Sequence, residues 1–222
     1  LAETYYGVIP ANPDLPERVR PTEPRHLAER RLTLRDDRVA QPYFSRSYIA
    51  PERDSGNQRQ AAALMLLSEL LGGGQTSLLN QALQFDSKQA VYTAAWYSPT
   101  SLDDTTFSVM AVPAPGVSLK TIEDAVDEVM RDFLAQGVDS AHLDRIKKQL
   151  RAAQIYARDD VEALANRYGR ALTSGLTIAD IQAWPDIMQT VTEEEIINAA
   201  REVWLREGAV TGWLTAKSEV TQ

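Results

Sequence analysis

The chain has 222 residues, a net charge of −8, 44% hydrophobic residues and 24% charged residues. That balance allows a sizeable core and excludes general disorder, while the excess negative charge repels phosphate and argues against nucleic acid as a partner. With no cysteine in the sequence, disulfides and thiolate metal sites are excluded.

No run reaches the ~18 apolar residues that a membrane-spanning helix needs. The longest, Ala61 to Leu71, is interrupted by Ser68 and Glu69. No basic-then-apolar signal segment opens the chain, which starts at Leu1 rather than methionine. A fragment or processed product is therefore expected, with a further portion upstream. Composition does not set the compartment; for a bacterial source the periplasm is favoured over the cytoplasm.

Residues 1–26 carry Pro10, Pro13, Pro16, Pro21 and Pro24. Proline fixes φ and removes a donor, so this stretch reads as an extended, semi-rigid interdomain linker, and 27–222 as one domain. Residues 28–35 read as a strand, with 38–49 as its antiparallel partner across Asp36-Asp37. Pro42 would place that partner at a sheet edge. Residues 57–71 predict a helix rich in apolar surface, ended by Gly72-Gly73-Gly74. A second helix follows over 76–85, with Leu78, Leu79, Ala82 and Leu83 inward.

Residues 90–98 are the clearest strand, β-branched and aromatic. Tyr92, Ala94 and Trp96 share one face, Thr93, Ala95 and Tyr97 the other, and Trp96 is expected in the core. A hairpin leads to a strand over 105–112. The rest is mostly helical. Ser118 caps a helix with Ile122, Val126, Val129 and Phe133 inward, and Gly137 follows its end. Leu143, Ile146, Leu150 and Ala153 line one face of the next. Asp159 with Glu162 resembles a capping box that starts another helix. Thr177 and Asp180 start a short helix that Trp184-Pro185 disturbs. Thr192 with Glu195 caps a helix carrying Ile196, Ala200 and Val203, and 209–215 reads as a closing strand. Strands and helices each cluster. That argues α+β, a two-layer α/β sandwich with a mainly antiparallel sheet and helices stacked on one face.

Candidate chemistry is sparse. A catalytic zinc needs about three ligands, usually including histidine. The two histidines, His26 and His142, are far apart. His26 sits in the linker, and His142 reads as a solvated first-turn residue. Neither H-E-x-x-H nor H-x-x-E-H occurs, and there is no Gly-x-Ser-x-Gly elbow. Ser77 after three glycines reads as part of a helix stop rather than an anion cradle. The acidic pairs Asp36-Asp37, Asp103-Asp104, Asp159-Asp160 and Glu193–Glu195 fall at turns or helix starts, where carboxylates complement helix dipoles. No residue of this chain is assigned a catalytic or metal-binding role.

Four segments together resemble the C-terminal lobe of the pitrilysin/insulinase-like zinc peptidases, the family of the inverted H-x-x-E-H motif. They are Tyr5-Tyr6-Gly7 with the proline run; Leu70-Leu71-Gly72-Gly73-Gly74 with Ser77-Leu78-Leu79; Leu143-x-x-Ile146-Lys147 through Tyr168-Gly169 and Gly175; and Val191-Thr192-x-Glu194-x-Ile196 with Ala199-Ala200. The resemblance implies an α/β sandwich lobe with no cofactor of its own. Zinc would lie on an N-terminal domain of the same chain or on a homologous subunit, with a homo- or heterodimer possible in the latter case. It also implies an arginine–tyrosine pair that contacts peptide substrate. The tyrosine matches Tyr92. The arginine falls near Gln84 or Phe85, in a segment one residue longer than usual. Gln84 offers an amide donor without the charge or fork of a guanidinium.

The expected function is therefore a substrate-binding, chamber-closing domain of a zinc metalloendopeptidase. The alternative is a non-catalytic scaffold or partner subunit of the same descent.

Overall fold

The computed structural model describes residues 1–16, 19–20, 24 and 26–217. Pro21 of the proline run lies outside them. The elements are α1 (Ala2–Tyr6), β1 (Arg30–Arg35), β2 (Tyr43–Ala50), α2 (Arg59–Gly72), a π-helical turn (Asn80–Asp86), β3 (Ala90–Tyr97), β4 (Thr105–Pro113), α3 (Leu119–Gln136), α4 (Ser140–Tyr156), α5 (Val161–Thr173), α6 (Ile178–Thr190), α7 (Glu193–Val203) and β5 (Ala209–Thr215). The architecture is α+β, with a mostly antiparallel five-stranded sheet, as the patterning anticipates. The short exposed α1 is the one element that the linker reading omits.

Strand order departs from the expected hairpin. The sheet runs β1-β5-β2-β4-β3. Strand β5 lies between β1 and β2, parallel to the first and antiparallel to the second. β1 and β2 are therefore not partners, and the seven residues 36–42 step across β5, roughly two strand spacings of ~4.8 Å. Nor is β2 an edge, because it pairs on both sides. Pro42 precedes the first paired residue, Tyr43, so its missing N–H costs the ladder nothing.

Side chains alternate across the sheet. Phe44, Arg46, Tyr48 and Ala50 of β2 are buried beneath the helices, beside Phe107, Val109 and Ala111 of β4. Helix α2 is apolar on nearly all sides because it is enclosed on nearly all sides; Ala61, Leu64, Leu67 and Leu71 are all buried. Its end touches β3 so closely that a Cβ on Gly72 would lie 2.0 Å from the Ala95 nitrogen. Only glycine fits there.

The helix ends follow local chemistry. The Ser118 hydroxyl accepts the Thr121 N–H, and Gly137, at φ +86°, closes α3. Thr177 with Asp180 and Thr192 with Glu195 both form capping boxes. Two expectations are corrected. The N-cap of α5 is Asp160, accepting from Ala163, rather than Asp159, and no box forms with Glu162. Pro185 does not break α6, which continues to Thr190. Proline removes the donor that would meet the Ile181 carbonyl, and Arg167 Nη2 donates to that oxygen instead, at 3.3 Å.

Candidate functional site

The helices cover one face of the sheet, and the other is open. Leu32, Leu34, Ile49, Tyr92 and Trp96 all stay exposed there. Tyr92 is 52% exposed and Trp96 44%. The expectation of a buried Trp96 is thus wrong. It alternates with Thr93, Ala95 and Tyr97, which take the helix side, and it pairs with Ser108 on the open side. β3 ends the strand order and pairs only with β4 among the described residues. Its outer backbone edge and its two aromatic rings therefore lie side by side.

Gln84 is elsewhere. It lies on the π-helical turn, where the Ser87 N–H reaches back five residues to the Ala82 carbonyl at 3.0 Å. This i→i+5 bond marks a single π turn. The Gln84 amide donates to Asn80 Oδ1 and, at 3.0 Å, to Thr93 Oγ1. Thr93 in turn donates to Asn80 Oδ1 at 2.5 Å, and Asn80 Nδ2 donates to the Gly74 carbonyl at 2.5 Å. Thr93 belongs to the helix-facing side of β3, and Tyr92 to the open side. The strand thus separates the two residues expected to act together. Phe85 is exposed. The Ser77 hydroxyl donates to the Gly74 carbonyl at 2.7 Å, so it braces the glycine turn.

The most elaborate polar arrangement went unseen in the sequence. Arg46, fully buried, donates to Glu123 and Asp127 at 2.5 Å each and to Thr211 at 2.9 Å. Arg31 grips Glu123 with two bonds, at 2.8 and 2.7 Å. Arg206 bridges Asp127, Glu123 and Glu29. The Trp213 indole also donates to Glu123, at 2.9 Å. Three guanidiniums and three carboxylates balance. Burial pushes Glu123 toward protonation, but Arg31 and Arg46 outweigh it and hold the carboxyl below its ordinary range. Saturated with partners, this cluster clamps β1, β2, β5 and α3 together.

A second clamp holds the loop before α2 to α6. Arg53 donates to Gln58 at 2.5 Å and to the Asp180 carbonyl at 2.6 Å, with its guanidinium 4.1 Å from the Trp184 ring centre. Burial lowers its pKa to about 10. The Asp180 carboxylate accepts from Ser55, Thr177, Gly56 and Gln58. Those donors hold it well below the usual range.

Among the described residues, no three His, Asp or Glu side chains converge as metal ligands. His142 is buried, 6% exposed, rather than solvated, because the first turn of α4 is enclosed by its neighbours. The acidic pairs serve local structure. Asp36 holds Arg38, Asp103 pairs with Arg20, Asp160 caps α5 and Glu195 caps α7. Among the described residues, no helix is long and apolar enough to cross a membrane.

No curated relative matches the sequence. Solved structures share the fold. A protease from Helicobacter pylori superposes with a TM-score of 0.81 at 18% identity, over 96% of this chain and 50% of that one. A peptidase M16 inactive domain from Pseudomonas fluorescens gives 0.72 at 16%, over 95% of this chain and 48% of the other. The periplasmic protease PqqL from Escherichia coli gives 0.66 at 17%, over 86% and 21%. The chain thus spans about half of the first two and a fifth of the third. At such identities the likeness establishes the fold. The sequence profile described as the peptidase M16 inactive domain matches residues 1–150. Profile and fold agree with the pattern of glycine turn, edge strand and capped helices, and the chain belongs to the peptidase M16 family as an example of its inactive domain.

Proposed function

We propose that this chain is the non-metal half of a zinc-dependent endopeptidase, closing a chamber over extended peptides. In this reading residues 1–26 link it to a metal-binding half, or an equivalent subunit supplies the metal. For a bacterial source the compartment is the periplasm, where one structural relative resides. The observation that carries the reading is the open sheet face ending at β3. An unpaired strand edge offers backbone hydrogen bonds of modest sequence preference, and Tyr92 beside it presents an exposed phenol. Trp96 on the same face adds apolar contact area.

The test has two parts. Metal analysis and a peptide-digestion assay on the purified chain are expected to show neither zinc nor cleavage; intrinsic zinc-dependent cleavage refutes the reading. Adding the metal-binding half is expected to restore cleavage, and Tyr92→Ala to raise KM for peptide about tenfold, the scale of one hydrogen bond plus ring contact.

A second reading, a non-catalytic scaffold of the same descent, draws on Gln84. Its amide is committed to Asn80 and Thr93 and is turned from the open face. A Tyr92→Ala variant that leaves cleavage by the reconstituted enzyme unchanged favours the scaffold.

A further inference from the structure

On the helical side of the molecule, α2, the π-helical turn, α3 and α4 enclose a cleft of ≈ 320 Å³. Leu70, Leu78 and Phe133 line it, with carboxylates from Asp86, Asp132 and Asp139. None of the three carboxylates is ion-paired among the described residues. Asp139 accepts the Ala141 and His142 N–H groups at the start of α4.

His142 also lines this cleft. The residue is 6% exposed, and its ring makes no hydrogen bond among the described residues. Burial and the neighbouring Arg145 keep the imidazole neutral, against the pull of Asp139. A neutral imidazole presents one acceptor nitrogen. The ring nitrogens are not fully buried and reach solvent, so the cleft offers an accessible acceptor beside an apolar floor and three carboxylates.

We propose that this cleft docks a basic, amphipathic peptide segment of a partner protein. An apolar side chain would fill the floor over Leu70, Leu78 and Phe133. An adjacent lysine or arginine would meet the carboxylates and donate to His142. The volume suits two or three side chains. A bare polyamine would satisfy the charges but leave the floor wet, so the pairing of floor and rim favours a peptide. The π-helical turn contributes Gln81, Ala82 and Asp86 to the wall, and such turns recur at functional sites. The cleft lies on the other side of the sheet from Tyr92, and the proposal does not rest on the role given to that residue.

The test is a ¹H–¹⁵N spectrum of the full chain titrated with a capped pentapeptide of alternating leucine and lysine. Saturable shifts are expected around Leu70, Ala82, Phe133 and His142, with sub-millimolar affinity. The glutamate counterpart is expected not to bind. Asp86→Asn with Asp132→Asn is expected to weaken binding about tenfold, two exposed charges at the usual strength of such pairs. Thermal unfolding should not change, since neither side chain bonds to the fold among the described residues. Four results would overturn the proposal: no saturable shift, shifts centred on Tyr92 and Trp96, equal affinity for the glutamate peptide, or spermidine matching the lysine peptide.

Discussion

One face of the sheet is crowded and holds a paired charge cluster; the other is open and aromatic. On the helix side even a charged residue such as Arg46 is completely buried, because Thr211, Asp127 and Glu123 each accept a hydrogen bond from one of its three nitrogens. On the open side Tyr92 and Trp96 stay half exposed with no hydrogen bond from either ring to the fold among the described residues. The first face holds the molecule together. The second is less buried, and in the proposed function it is the face that meets peptide. The same strand, β3, serves both through the alternation of its side chains.

The largest way to break this contrast is to remove one partner from the crowded face. Arg46→Ala removes from Glu123 and Asp127 their one fully buried counter-charge and leaves only Arg31 and Arg206. It should cost about 3–5 kcal/mol, read as a lower urea midpoint at constant m-value. A loss below about 1 kcal/mol would show that the cluster is dispensable. Gly72→Ala comes next, because its methyl would strike the Ala95 backbone. About 2–3 kcal/mol is expected from overpacking, with hydrogen exchange rising first along α2 and β3.

Acid should loosen the crowded side in a defined direction. Arg59, then the Thr192 donors, hold Glu195 at about 2, against a penalty from burial, and Glu123 also lies below its ordinary value. A carboxylate depressed in the fold adds stability above its unfolded pKa of about 4.3 and loses it as pH falls through the folded value. The melting temperature should therefore fall between pH 4.5 and 2, and Glu195→Gln should flatten part of that slope. A melting temperature independent of pH in this window would contradict the assignment. The smallest effect belongs to the open face. Tyr92→Ala and Trp96→Ala should each change stability by less than about 0.5 kcal/mol, while peptide binding by the reconstituted enzyme weakens. Strong destabilisation by either would place these rings among the structural residues instead.

How much was legible follows from the range over which each feature acts. The caps at Ser118, Thr177 and Thr192 lie within three residues of their partners, so the sequence displays them directly. The alternation in 90–97 is equally local and correctly divides Tyr92 from Thr93. The same pattern does not say which face is covered, so Trp96 was expected inside. Arg46 reads as an ordinary strand residue, because its partners lie 77, 81 and 165 positions away. His142 reads as a first-turn polar residue until the neighbouring helices enclose it. Gln84 and Tyr92 are near in sequence, yet a π turn and a pleat set them on opposite sides of β3.

The order and kind of elements, the α+β class, the helix caps and the family resemblance all come from short-range chemistry, namely period, propensity and capping, and these the amino-acid order determines alone. Tertiary structure decided the rest: β5 placed between β1 and β2, α6 kept intact through Pro185 by Arg167, a six-charge cluster under the helices, and an aromatic edge left open. These features depend on groups that meet only in the folded chain, from 14 residues apart for Arg167 and Ile181 to 165 for Arg46 and Thr211, and no local pattern records such a meeting.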